Sequence, residues 1–311
     1  MEDNAWQHIV KMEITADLTF ESISFLPSGA YDVRHILAYR PDEDIVIYDA
    51  QAPNSWNRHF YGTPAAEAST LEDDRCLTCL SANCTFQRHA SVSRGTDLKI
   101  AYVCSGPNPP HQAIISFNAT LDQQDSQIVA KLRDLNVTEW TTETFLLPSG
   151  YEAIVRIYHG DTGLDSVPVT LNVYGGPMDF NQVTDVFGTP LPIGYKHAVV
   201  YMDVRGSGGR GWRYKSPIYR RLMTVEVEDT LEAMKMVLAK YPRLDKHRVG
   251  VFGWSYGGTM SIALVEKAPK SFFKCAISVA PVTNFVNYGA SYTERCTIQP
   301  FLEVLFMQRQ E

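Results

Sequence analysis

Residues 249–267 read Val-Gly-Val-Phe-Gly-Trp-Ser-Tyr-Gly-Gly-Thr-Met-Ser-Ile-Ala-Leu-Val-Glu-Lys. The apolar run 249–252 has the character of a buried strand, and the stretch after Tyr256 that of a helix. Between them Gly253-Trp254-Ser255-Tyr256-Gly257 fits G-x-S-x-G. A sharp strand-to-helix turn of this kind holds a serine in a strained conformation, with its hydroxyl clear of the carboxyl edge of a parallel sheet. Glycines two before and two after let the turn close without a Cβ clash. The helix start at Tyr256 would aim backbone N–H groups at a developing oxyanion. Ser255 is therefore the candidate nucleophile, and the N–H of Tyr256 a candidate oxyanion donor.

The pattern around the turn extends the reading. Strands are predicted at 168–173, 197–204 and 275–279, and a helix at 224–240, closed by Pro242. That helix carries Glu226, Glu228 and Asp229 in its first turn and Lys235 and Lys240 toward its end, as the helix dipole favours. Leu231, Met234, Val237 and Leu238 fall on one face. Alternating strands and helices imply a parallel sheet with helices on both faces. With the serine turn, this is an α/β-hydrolase fold. A hairpin, 143–147 and 151–159 around Pro148-Ser149-Gly150, opens it.

The first 138 residues follow another rule. Short β-type runs at 18–26, 33–39, 44–48, 87–93, 98–104 and 112–117 alternate with turn residues, as in a sandwich, barrel or propeller. The polar stretch 56–74 is expected to be an exposed loop, with His59 solvated. Two domains follow, at 1–138 and 139–311.

Bulk properties narrow the function. The chain has 311 residues, 45% hydrophobic and 20% charged, ordinary values for a globular protein. A net charge of −7 argues against a nucleic-acid partner. No stretch reaches the ~20 apolar residues of a membrane span, and the opening Met-Glu-Asp-Asn-Ala-Trp shows neither the basic n-region nor the apolar h-region of a signal peptide. Cys76, Cys79, Cys84 and Cys104 cluster, which is compatible with disulfides or with a tetrahedral zinc site. N-x-S/T sites stand at Asn83, Asn118 and Asn136.

Gly253-Trp254-Ser255-Tyr256-Gly257-Gly258, Val173-Tyr174-Gly175-Gly176-Pro177, Arg205-Gly206-Ser207-Gly208, Glu226-Val227-Glu228-Asp229, Val279-Ala280-Pro281-Val282 and Tyr292-Thr293-Glu294-Arg295 together resemble the prolyl oligopeptidase family (S9), in its dipeptidyl peptidase IV-like branch. The resemblance implies the last blades of a β-propeller at 1–138, about three by length, ahead of an incomplete α/β-hydrolase peptidase domain. It implies a serine exopeptidase that removes N-terminal X-Pro or X-Ala dipeptides from peptides, without metal or organic cofactor. By the same resemblance Tyr174, otherwise a buried aromatic at a strand end, donates its hydroxyl to the oxyanion. Val282, Phe285, Tyr288 and Tyr292 wall a proline pocket, though two tyrosines four apart also stack simply as core. Phe285 stands where the family usually has tryptophan, and Gly289 where it has an acid. Disulfides Cys76–Cys79 and Cys84–Cys104, glycosylation, an extracellular or cell-surface location and a homodimer in the full-length family are implied likewise.

The loop Arg205-Gly206-Ser207-Gly208-Gly209-Arg210 matches neither phosphate-binding glycine pattern. It is expected to be a turn charge-paired with 226–229. After Ser255 the sequence holds no histidine and no aspartate. In this fold the triad acid and base follow the serine, so the chain is expected to be inactive alone. The rival expectation is a catalytically silent family member that acts through protein–protein interaction. An esterase or lipase on the same fold is disfavoured by the strand-rich front segment. The segment 297–311 resembles nothing in the family, and Cys275 and Cys296 are left without an assigned partner.

Overall fold

The structure is a computed structural model that describes residues 6–66, 73–79, 84–95, 97–116, 119–123, 140–159, 163–177, 180–187, 197–285 and 288–297. Asn83, Asn118, Asn136 and the segment 298–311 lie outside them. The chain forms two compact units, one of residues 1–134 with 184–188 and 209–212, the other of the remainder.

The first unit is built of antiparallel strands. β1 (Ile9–Ile14) and β2 (Phe20–Leu26) form a hairpin. β3 (Asp32–Arg40), β4 (Ile45–Gln51), β5 (His59–Pro64) and β6 (Arg75–Cys76) form one four-stranded meander. β7 (Cys84–Val92), β8 (Lys99–Pro107), β9 (His111–Ser116) and β10 (Ala119–Gln123) form a second. Sequential meanders of four strands are the unit of a propeller blade. Where about three blades were expected, the described residues give two such sheets and one hairpin. The sheets meet where Arg58 bridges Phe86, with Arg58 N–H donating to Thr85 O at 3.0 Å and Gln87 N–H to Arg58 O at 3.1 Å. Ile47 and Phe60 pack there with Leu98, Ile100 and Tyr102.

The expected loop at 56–74 is corrected. β5 runs through it, and His59 is only 3% exposed. Five of the six strand residues are buried or half-buried on both faces, so the period-two alternation that marks a half-exposed strand is absent. Burial pushes the pKa of His59 down to about 4. Its Nδ1 faces Thr78 Oγ1 at 3.1 Å. Cys76 is bonded to Cys79 and Cys84 to Cys104. The four thiolates of a zinc site are thus consumed.

The second unit holds a six-stranded sheet. Its strands are β11 (Trp140–Leu146), β12 (Glu152–Tyr158), β13 (Val167–Val173), β14 (Ala198–Asp203), β15 (Leu244–Trp254) and β16 (Phe273–Val279), in the order β11-β12-β14-β13-β15-β16. The first two pairings are antiparallel, then β14, β13, β15 and β16 run parallel. Central strands read as continuous apolar runs, Val-Val-Tyr-Met in β14 and Val-Gly-Val-Phe in β15, because both faces are covered. Helices α1 (Gly211–Lys215), α2 (Val225–Lys240), α3 (Tyr256–Lys267) and α4 (Ala290–Thr297) complete the described helices, and α1 was not foreseen. Val227, Met234 and Val237 of α2 and Met260 and Leu264 of α3 are fully buried in the core. The second unit is thus an α/β-hydrolase sheet, and the first is built of blade-like β-sheets.

Candidate active site

Parallel pairing sets the geometry of the site. Val173 of β13 lies level with Gly253 of β15. Tyr174 therefore leaves the sheet at the same carboxyl edge as Ser255, which follows Gly253 by two residues. Ser255 adopts φ 58°, ψ −120°, a conformation that costs a non-glycine residue about 1–3 kcal/mol. Neighbouring structure holds it there. Its N–H donates to Val279 O at 2.9 Å, and its carbonyl accepts from Gly258 N–H at 2.9 Å and Thr259 N–H at 3.2 Å. The serine is half-buried, and its Oγ has no hydrogen-bond partner among the described residues.

The two elbow glycines are fixed by contact. A Cβ on Gly253 would stand 2.0 Å from Gly257 O, and one on Gly257 would stand 2.1 Å from Val173 O. Such separations are impossible for a methyl group, and the neighbours are backbone that cannot swing aside. The pattern G-x-S-x-G here follows from strand, turn and helix pressed together.

Four tyrosines converge at this edge. The Tyr174 ring lies 4.3 Å from Phe180 and 6.2 Å from Tyr256, centroid to centroid. Tyr288 and Tyr292 meet edge-on at 5.1 Å. Burial, and then the nearby Tyr288, raises the Tyr174 pKa. Tyr292 is raised by burial first, with Cys296, Tyr174 and Tyr288 adding to it. Phenols perturbed in this direction keep their protons and remain donors across the neutral range. Val282 is buried and its carbonyl accepts from Thr259 Oγ1 at 2.9 Å, while Phe285 packs half-buried on the core. Val282, Phe285, Tyr288 and Tyr292 thus all stand in the segment following β16.

Sequence reading missed the group behind the elbow. Glu226, in the first turn of α2, is 0% exposed. It accepts from Met223 N–H at 2.6 Å, Thr224 N–H at 3.1 Å and the Tyr256 hydroxyl at 2.8 Å. Burial raises its pKa against those hydrogen bonds. Burial and the same carboxylate drive the Tyr256 phenol well above 10. The residue carrying the candidate oxyanion N–H is therefore anchored at its far end. Spacing held the signal, since Glu226 precedes buried Ala233 and Val237 by seven and eleven residues, on one helical face. Asp229 is buried too. It takes Arg205 through two bonds, Nε at 2.6 Å and an Nη at 2.7 Å, and Ser149 Oγ at 3.1 Å. The pairing expected of Arg205 is present.

A proton acceptor is another matter. All eight histidines precede Ser255. His247 is exposed and sits on β15 eight residues before it, about 26 Å at the rise of an extended strand. Cys275 is exposed and Cys296 buried.

Comparison with known proteins agrees with these features. Residues 194–302 match the model of the prolyl oligopeptidase family, and residues 1–111 that of the dipeptidyl peptidase IV N-terminal region. Dipeptidyl peptidase family member 1 of Caenorhabditis elegans is 35% identical over 94% of this chain and 38% of its own length. Venom dipeptidyl peptidase 4 of Vespula vulgaris is 32% identical over 93% of the chain, and dipeptidyl peptidase 4 of Felis catus 30% over 94%. The chain spans 38% of the length of each of these relatives. A serine elbow on this sheet order, with homology along nearly the whole chain, places the protein in the prolyl oligopeptidase family, in its dipeptidyl peptidase IV-like branch.

Proposed function

We propose that Ser255 is the nucleophile of a dipeptidyl aminopeptidase that releases X-Pro and X-Ala dipeptides from peptide N-termini. Ser255 Oγ attacks the carbonyl carbon of the second residue, the scissile C–N bond breaks with the serine's proton passing to the leaving amine, and water then hydrolyses the Ser255 ester to free the dipeptide. The oxyanion of the tetrahedral intermediate takes hydrogen bonds from Tyr256 N–H and the Tyr174 hydroxyl. Val282, Phe285, Tyr288 and Tyr292 supply flat apolar and phenolic walls suited to a pyrrolidine ring. The observation that carries the reading is the left-handed Ser255, which leaves the sheet at the same carboxyl edge as Tyr174 because β13 and β15 pair in register up to Val173 and Gly253.

The step needs a base to take the serine proton, and residues 256–311 contain neither histidine nor aspartate. Loss of the triad histidine costs roughly a millionfold in turnover in a serine protease. In this reading the acid and base come from residues other than 256–311, and turnover depends on their presence. Two disulfides support an oxidising, extracellular or cell-surface setting. Among the described residues no helix is long and apolar enough to cross a membrane.

The test compares this chain with its longest natural transcript product on Gly-Pro-p-nitroanilide and on a fluorophosphonate probe. The reading expects turnover by the longer product, abolished by Ser255→Ala, and none by the 311 residues. Fluorophosphonate labelling of the longer product at a residue other than Ser255 would refute it. A longer product with no labelling at all would favour the silent, protein-binding alternative.

A further inference from the structure

Within the first unit, the meeting of its two four-stranded sheets leaves an open cleft of about 340 Å³ that the peptidase reading does not use. Its polar lining is His35 of β3, Asp49 of β4, Arg58 just before β5, and Arg88 and His89 of β7. Leu37, Phe60 and Ala90 supply an apolar wall. Charge in the cleft is unbalanced. Asp49, 2% exposed, is taken by Arg58 through Nε at 2.6 Å and faces His35 Nδ1 at 3.1 Å. That carboxylate is therefore spent on Arg58. Arg88 has no carboxylate partner among the described residues; its guanidinium carbon rests 5.2 Å from the centroid of the Phe86 ring. Burial and the positive charge of Arg58 both push the pKa of Arg88 down, the signature of two cations facing one space.

The backbone adds a separate observation. His89 sits at φ 53°, inside an irregular stretch of the β7–β8 pairing between Arg88 and Ser91. A left-handed non-glycine residue is costly and persists only where surrounding structure imposes it. Bulges re-aim side chains, commonly beside binding sites. Here the irregularity sets consecutive residues, Arg88 and His89, against the same cleft, where regular pleating would send them to opposite faces.

We propose that this cleft binds a small organic oxyanion, a carboxylate or phosphate group carried on a compact apolar body. The anion would lie between Arg58 and Arg88, which removes their mutual repulsion and gives charge-assisted hydrogen bonds in planar fork geometry. The apolar body would rest on Phe60 and Leu37. The volume is at the lower end of small-molecule sites and larger than an inorganic anion fills.

Isothermal titration of the purified chain with phenyl phosphate, benzoate and inorganic phosphate at low salt tests this. At least one aromatic anion is expected to bind with a Kd of about 1 mM or tighter, roughly tenfold better than inorganic phosphate. Which of the two binds tighter identifies the head group. Arg88→Gln should weaken binding about tenfold, and His89→Gly, which relieves the left-handed strain, should weaken it less. Exposed Arg94→Gln should change nothing. The proposal is overturned if neither aromatic anion binds by 10 mM. It is equally overturned if inorganic phosphate binds as well as they do, or if Arg88→Gln leaves affinity within twofold.

Discussion

Removing the Tyr256 hydroxyl, as Tyr256→Phe, tests whether Glu226 anchors the serine turn from behind. The wild-type carboxyl has three donors, two backbone N–H groups and one phenol, and no access to water. Phenylalanine fills the same space, so cavity formation contributes almost nothing. The cost is one hydrogen bond to a buried, potentially charged group, about 1.5–3 kcal/mol. The sign of its pH dependence follows from the raised pKa of Glu226. Above 4.5 the unfolded chain releases this proton while the folded state retains it, so stability falls as pH rises through that window. Loss of a donor that favours the ionised form raises the folded pKa further and extends the loss. The penalty of the variant should therefore be smallest at pH 4, where the carboxyl is protonated in both states, and grow as pH rises through the raised folded pKa. Urea denaturation followed by tryptophan fluorescence, at constant m, measures this directly. A penalty under about 0.5 kcal/mol at every pH, or one that never grows as pH rises, refutes the anchoring role.

Three other outcomes are expected. Gly253→Ala and Gly257→Ala each drive a methyl into backbone about 2 Å away and should cost about 3 kcal/mol or more in thermal or chemical melts, whereas Gly289→Ala, in open space, should stay within about 0.5 kcal/mol. Ser255→Gly should be more stable than Ser255→Ala by about 1 kcal/mol, since glycine relieves the left-handed strain and alanine keeps it; equal melting temperatures would contradict the strained turn. His59, held neutral down to about pH 4, destabilises the first unit as pH falls from 6.5 to 4, because only the unfolded state takes up the proton. The loss approaches about 3 kcal/mol, and His59→Gln should flatten that part of the stability profile.

The serine turn was legible in the sequence because its requirements are local. Two glycines, a preceding apolar run and a following helix lie within twenty residues, and each is dictated by contacts among those same residues. The bidentate partner of Arg205 was legible for a related reason, as opposite charges in a Gly-rich turn and a helix start invite pairing. Two other things were not legible. β5 is buried on both faces, so its polar flanks outweighed a hydrophobic pattern with no alternation. Glu226 read as an acid in the first turn of a helix, as the dipole favours, and only the packing of α2 against the sheet turns it inward. The order of strands is not local either. That β13 lies between β14 and β15 depends on crossovers whose destinations no window of sequence contains. The cleft beside Arg88 escaped for the same reason, since its walls come from four strands spread over fifty-six residues.

The rung-for-rung match of Val173 with Gly253 acts as a molecular ruler. Sliding either strand by one position would move phenol and hydroxyl apart by about 3.3 Å along the sheet and turn one of them to the opposite side. Loops elsewhere in this unit can lengthen or shorten with little penalty. In the proposed mechanism the residue counts from the last shared rung to Ser255 and to Tyr174 are therefore fixed, because a change in either would separate the two.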